Sequence, residues 1–296
     1  KRKNKMKKII IYLILIFISF NTNSQVQESY ISDLEKDTIK LLSWNIKMLP
    51  DIYYDKQTKQ KQAKRSKKIT KELLQRQYDI IILQEAFNFN SRRIIKKHLK
   101  TKYPYIYKPL NYKALSIKGN GGVWILSKIP LTKIEEIKYK SCSGTDCLAR
   151  KGAVIMQGIN KKQKFQIVGT HLQSGKDWRS RKKQYEDLNF ILNKHKTNNV
   201  PQIICGDMNC DSNNKQEFTS MINILQSEDT NKKEGLNYSN YRKNKIIDYV
   251  LVRKNNLNIK VNSKIILIGN DWTIKNNYKQ KLSLSDHLSL ESVIIF

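Results

Sequence analysis

Apolar residues in this chain come in short runs that end abruptly in a polar group. Residues 39–46 (IKLLSWNI) read as a buried strand, and residues 79–87 (DIIILQEAF) as an apolar strand with polar residues at its end. The same reading gives strands at 121–127, 152–159, 164–170, 201–209, 246–252, 264–269 and 288–296. Residues 177–196 form an amphipathic helix, residues 58–77 have looser helical spacing, and residues 91–101 also read as helix. Strands outnumber helices, and helices sit between some of them. That predicts a layered α/β protein with sheet packed on sheet and helices outside. Periodicity does not decide between parallel and mixed sheets.

The chain has 296 residues, enough for a sizeable core. It shows no repeat, heptad run or long flexible linker, so a single domain is the simpler reading. The first segment stands apart. Residues 1–8 carry six positive charges and no acid, residues 9–20 are an apolar run, and residues 21–24 are small and polar. This is the layout of a secretory signal over residues 1–24, with cleavage after Ser24 and release of a secreted protein. The alternative is an uncleaved anchor, but the run is short for a bilayer. Residues 25–37 are then a short lead, and 38–296 the domain. Four cysteines form two close pairs. Cys142 and Cys147 lie in a Ser/Gly/Thr loop that suits a small disulfide ring after export, whereas Cys205 reads as a buried free thiol. The net charge of +31 favours polyanions, but lysine is abundant throughout the chain, so the charge alone argues only weakly for nucleic acid.

The chemistry-bearing residues share one placement. Asn45, Glu85, His171, and the pair Asp207 and Asn209 each follow a strand, and Asp286 and His287 immediately precede the last one. Strand ends are where a rigid scaffold presents side chains to a ligand. Each residue alone has a bland reading as a turn or cap. Glu85 is harder to dismiss, because a carboxylate at the end of a buried strand needs a partner or a metal. An Asn/Glu oxygen pair suits a hard cation such as Mg²⁺. Asp248, inside the apolar IIDYVLV, calls for a cationic hydrogen-bond partner, and a histidine is the natural one.

In this order, SWNI, ILQEAF, GTHL, GDMN, DYVL and SDH resemble the endonuclease/exonuclease/phosphatase superfamily. These are metal-dependent phosphodiesterases, and the resemblance implies a four-layered αββα sandwich of two mixed β-sheets flanked by helices. It covers about residues 38–296. GNGGVWILSKIPL, DCLARKG and GTHLQSG are similar to the secreted bacterial neutral sphingomyelinase branch. In that branch an Asp and a Lys five residues on sit beside the phosphate, as Asp146 and Lys151 are spaced. Only Trp272 and Tyr278 lie where the branch carries a membrane-binding aromatic hairpin.

The resemblance implies Mg²⁺, as one or two ions with Mn²⁺ or Co²⁺ as substitutes, held by Glu85 with Asn45 nearby. Asp286 would support the metal or its water. His287, oriented by Asp248, would take a proton from water. Asp207 and Asn209 would position nucleophile and phosphate, and His171 would donate to the charge developing on phosphorus. The leading expectation is a secreted monomer that cleaves sphingomyelin at a membrane surface to ceramide and phosphocholine. A secreted nuclease of the same fold is the runner-up, with nucleic acid the lesser partner. A catalytically dead binding module is the third reading, and it predicts losses among the site residues that this sequence does not show.

Overall fold

The computed structural model describes residues 38–50, 62–114, 119–231, 236–240, 245–269, 271–275, 278–282 and 284–296. The leader and lead expected over residues 1–37 lie outside them. In chain order the elements are β1 (Thr38–Met48), α1 (Gln62–Gln75), β2 (Ile80–Ala86), α2 (Phe89–Leu99), β3 (Tyr105–Ile106), β4 (Trp124–Ser127), β5 (Thr132–Lys138), β6 (Gly152–Asn160), β7 (Gln163–His171), α3 (Trp178–Lys194), β8 (Gln202–Asp207), α4 (Lys215–Leu225), β9 (Glu228–Asp229), β10 (Asp248–Arg253), β11 (Lys260–Ile266), β12 (Asp271–Lys275), β13 (Tyr278–Leu282) and β14 (Ser289–Ile295). No helix among the described residues is long and apolar enough to cross a membrane.

Two six-stranded sheets are stacked, one in the order β11-β14-β1-β2-β4-β3 and the other β5-β6-β7-β8-β10-β9. Both are mixed. β1 runs parallel to β2, and β7 runs parallel to β8, while the remaining pairs within each sheet are antiparallel. Strand alternation explains the layering. On β1, Ile39 and Leu41 face the second sheet and meet Ile167, Ile203 and Val250 there, while Leu42, Trp44 and Ile46 face Ile69 and Leu73 of α1 and Ile95 of α2. On the far side, Ile155, Val168 and Ile204 pack under Leu188 of α3 and Met221 of α4. The four layers are therefore helices, sheet, sheet and helices, as expected. Each buried Leu or Ile contributes roughly 2 kcal/mol of hydrophobic stabilisation.

Besides the two-residue strands β3 and β9 and the short 3₁₀ turn Gly144–Leu148, sequence periodicity missed three larger features. β5 is a half-exposed edge strand with a bulge between Lys133 and Glu135, so its apolar positions are sparse. α4 buries Met221 and Leu225 on a single narrow face. β12 and β13 form a separate antiparallel hairpin over the stretch that holds Trp272 and Tyr278. The strand expected at 121–127 starts only at Trp124, because Gly122 has φ +77°.

Gly206, one residue before the end of β8, admits no side chain. A Cβ there would lie 2.0 Å from the Thr170 carbonyl oxygen on β7, and its φ is +158°. Replacing it with Ala should destabilise the fold by roughly 3 kcal/mol, through a clash that neither backbone can relieve. Chemical denaturation of the Gly206→Ala variant checks this, and a midpoint unchanged from wild type would refute it.

Candidate active site at one rim of the sandwich

The inter-sheet stripe of each central strand ends in a polar residue at the same rim. On β1 the stripe runs Ile39, Leu41, Ser43, Asn45, and on β7 Phe165, Ile167, Gly169, His171. On β8 it runs Ile203, Cys205, Asp207, and on β10 it reads backwards from Val250 to Asp248. The alternation that builds the core thus delivers an amide, an imidazole and two carboxylates into one buried space. His171 and Asp207 are only 3% and 2% exposed.

Glu85 arrives by a different device. By alternation Gln84 would occupy this stripe, following Ile80 and Ile82. The pairing of β1 with β2 instead slips by one residue between Asn45 and Met48, and Lys47 and Glu85 take left-handed backbone at φ +46° and +52°. Bulges of this kind re-aim side chains beside functional sites. Arg65 of α1, fully buried, locks the bulge, donating to the carbonyls of Ile46, Lys47 and Leu284.

The cluster is closely bonded. Asn45 Nδ2 donates to Glu85 Oε1 at 2.9 Å and to Asp207 Oδ2 at 3.0 Å, while its Oδ1 accepts from the Lys47 amide at 3.1 Å. His171 Nε2 lies 3.6 Å and His287 Nε2 3.8 Å from Asp207 Oδ2. His287 Nδ1 donates to Asp248 Oδ2 at 2.8 Å. Its other face meets the amide of Asn240 at 2.9 Å, which can donate to a neutral ring or, turned over, accept from a protonated one. The His287 backbone is pinned as well, its carbonyl accepting from Trp44 Nε1 at 3.0 Å.

Burial sets the charge states. Desolvation raises Glu85, and Asp286 adds to it, against the Asn45 hydrogen bond. Desolvation, with Asp248 beside it, pushes Asp207 up to about 7. Desolvation also holds the His171 imidazole well below its usual range, helped by Lys151 and His287, so that ring is neutral. Burial would lower His287 too, but the carboxylates of Asp248 and Asp207 overcome it and raise the ring to about 10.

Glu85, His171 and Asp207 offer ligand atoms within 4.8 Å of one another, and Asp207, Asp248 and His287 form a second such group. The second is already satisfied as a hydrogen-bonded pair. In the first, two desolvated carboxylates are crowded together, which a hard divalent cation would relieve. Glu85 and Asp207 are its better donors, because the Lys151 ammonium stands 3.2 Å from His171 Nε2. Asn45 presents its nitrogen to both carboxylates, so an oxygen contact from it requires the amide to turn over.

One loop completes the rim. Cys142 and Cys147 form a disulfide across the short 3₁₀ turn Gly144–Leu148, with Cα atoms 5.4 Å apart, while Cys205 and Cys210 are free and buried. Asp146, inside this ring, accepts from Lys151 Nζ at 2.8 Å and from the Ser174 amide at 2.7 Å. Lys151 also donates to the Leu172 carbonyl at 2.8 Å, which receives Asn209 Nδ2 at 3.2 Å. Gln173 clasps the ring, its side chain bonding both the amide and the carbonyl of Ser143. Asn209 has left-handed backbone at φ +50°, and its amide donates to Asp207 Oδ1 at 2.9 Å.

The structure therefore brings together Asn45, Glu85, His171, Asp207, Asn209, Asp248, His287 and the Asp146–Lys151 pair. Asp286 stands beside them, paired at 2.9 Å with Lys47, outside the groups of converging ligand atoms. Sequence reasoning missed Lys47, Arg65, Gln173 and Asn240. Gln173, within the quoted GTHLQSG, was the one within reach, since a buried glutamine beside a strand end needs several partners.

A model of the Endonuclease/Exonuclease/phosphatase family matches residues 42–287. The chain is 33% identical over 216 residues to "Sphingomyelinase C 2" of Leptospira interrogans, covering 63% of this chain and 33% of that protein. It is 31% identical over 220 residues to a "Sphingomyelinase C" of Bacillus cereus, covering 65% of each. The chain thus spans a third and about two thirds of the length of these curated relatives. Its fold is similar to that of a Staphylococcus aureus beta toxin variant with bound magnesium ions, at TM-score 0.72 and 22% identity, over 86% of this chain and 98% of that one.

Proposed function

We propose, because this chain belongs to the Endonuclease/Exonuclease/phosphatase family, that it is a divalent-metal phosphodiesterase hydrolysing sphingomyelin to phosphocholine and ceramide. The observation that carries the chemistry is the convergence of Glu85, Asp207, His171 and His287 at one rim with a lysine held beside them. The likeness to proteins named sphingomyelinase C supports the substrate.

Glu85 and the near oxygen of Asp207 would hold the metal, as one or two Mg²⁺ ions, a reading supported by the magnesium bound in the beta toxin neighbour. When bound, the ion supplies positive charge against the phosphodiester and eases departure of the alcohol. His287, which Asp248 and Asp207 hold protonated in the metal-free cluster, would act as base toward the attacking water once a bound cation offsets those carboxylates and lets the ring lose its proton. Asp248 fixes the ring through Nδ1, which leaves Nε2 toward Asp207 and the reaction space. Asp207 and Asn209 position water and phosphate. Lys151 has its three protons on Asp146, Leu172 and His171, and the longest of these contacts, 3.2 Å to His171, is the one a phosphoryl oxygen would replace. Asp146 keeps the ammonium in place during that exchange. Export fits the Cys142–Cys147 disulfide, since such bonds persist in oxidising compartments.

The test offers sphingomyelin vesicles and plasmid DNA in parallel, with Mg²⁺ at moderate salt. Sphingomyelin should be cleaved far better, and Lys151→Ala should lower kcat/KM on it roughly a hundredfold. DNA cleavage of comparable efficiency, untouched by Lys151→Ala, would move the protein to the nuclease reading.

A further inference from the structure

The helix layer over the first sheet is one-sided in charge. α2 carries Arg92, Arg93, Lys96, Lys97 and His98 and no acid. α1 has several cations against one acid, Glu72, whose carboxylate is tied to Arg76 at 3.5 Å. Between the helices runs a groove of about 850 Å³, lined by Lys67, Lys71, Arg93 and Lys97 together with the apolar Leu74 and Ile94. None of these four cations has an ion pair among the described residues. Elsewhere on the surface lysines do find acids, as Lys194 with Glu135 at 3.0 Å and Lys254 with Glu228 at 2.8 Å.

Lys67 and Lys71, and Arg93 and Lys97, are each spaced by one helical turn, about 6 Å. Like charges at that spacing work against their own helix. Nothing in the packing requires them, since α1 and α2 are held to the sheet through Ile69, Leu73, Ile95 and Leu99. The arrangement concentrates unneutralised positive charge around a partly apolar floor, where Leu74 stays 42% exposed.

We propose that this groove is a second lipid site, which takes an anionic phospholipid of a bilayer without cleaving it. The phosphate would sit between the two rows of cations, and the upper part of an acyl chain would cover Leu74 and Ile94. Charge complementarity demands an anion, and the apolar floor demands an amphiphile. Nucleic acid fits less well. A single strand would want a series of aromatic faces to stack on, and the groove offers only the His98 ring. A duplex could contact the cations through its phosphates, but it would leave the apolar floor of Leu74 and Ile94 uncovered. The proposal does not rest on sphingomyelin being the substrate, because no residue lining the groove belongs to the catalytic cluster.

The experiment uses the full chain and vesicle co-sedimentation. One set of vesicles is phosphatidylcholine alone, and the other replaces about a fifth of it with phosphatidylglycerol. Wild type should bind the second set at least roughly tenfold more tightly. The variant Lys67→Gln/Lys71→Gln/Arg93→Gln/Lys97→Gln should lose that preference. A control with the same charge change elsewhere, Lys162→Gln/Lys164→Gln/Lys182→Gln/Lys183→Gln, should keep it. Leu74→Glu should weaken binding to the anionic vesicles without altering net positive charge elsewhere, and unchanged melting by circular dichroism shows that each variant folds. Equal loss in groove and control variants would overturn the site in favour of bulk charge. So would retention by the groove variant, or loss of oligonucleotide binding by that variant with vesicle binding intact.

Discussion

His287→Ala should lower kcat on sphingomyelin vesicles about a thousandfold while leaving the fold intact. The ring is held at both nitrogens, by Asp248 on Nδ1 and Asn240 beside Nε2, and the backbone carbonyl is pinned by Trp44. Such tethering leaves it little freedom to do anything but present Nε2 toward Asp207, so an alanine removes the proton acceptor and not merely a packing group. Asp248→Asn should reproduce part of the loss, since an amide nitrogen facing Nδ1 favours the wrong tautomer. His171→Ala should cost about a hundredfold, because the neutral ring, released from Lys151 when a phosphoryl oxygen takes that contact, would no longer donate to the charge developing on phosphorus. The losses should appear in kcat more than in KM, with far-ultraviolet circular dichroism unchanged. A His287→Ala enzyme within a few fold of wild type would remove the imidazole from the mechanism.

Chelation should abolish turnover, and Mg²⁺ should restore it. Glu85→Gln should raise the metal concentration needed for half-maximal rate by roughly a hundredfold. The expectation rests on a charge argument. Burial, complete for Asp207 and partial for Glu85, leaves both carboxylates poorly solvated, bridged by a single amide group. A divalent cation is the natural compensation, and the substituted glutamine would keep the size of the side chain while halving the negative charge facing it. Titration of rate against free Mg²⁺ after chelation is the measurement. Full activity in excess chelator would sink the metal reading.

Much of this site was legible because it obeys the rule that builds the core. Asn45, His171, Asp207 and Asp248 stand where an apolar stripe of period two turns polar, and that turn can be seen in a single sequence. Glu85 was found from its apolar neighbours, although its alternation is wrong for the site. The bulge that corrects it depends on left-handed backbone at Lys47 and Glu85, and no local signal announces that. Lys47, Arg65 and Asn240 were missed for a related reason. Their partners lie far along the chain, at Asp286, Leu284 and His287, so only the folded arrangement gives them meaning. Among the elements, β1, β2, β7, β8 and β10 were readable from continuous apolar runs. β5 was not, because an edge strand buries too little to leave a pattern. The lysine groove was hidden for the opposite reason. Along the chain its cations look like part of a general excess, and they become a feature only when α1 is laid beside α2.

The Asn45 amide bonds Glu85 on its own sheet and Asp207 on the opposite one. Mechanically it is a cross-tie. The two sheets cannot splay at this rim without breaking it, and neither carboxylate can shift without pulling the other. The width of the cleft is thus fixed by the framework, and a substrate must be admitted by movements of side chains and loops around a mouth whose walls stay put.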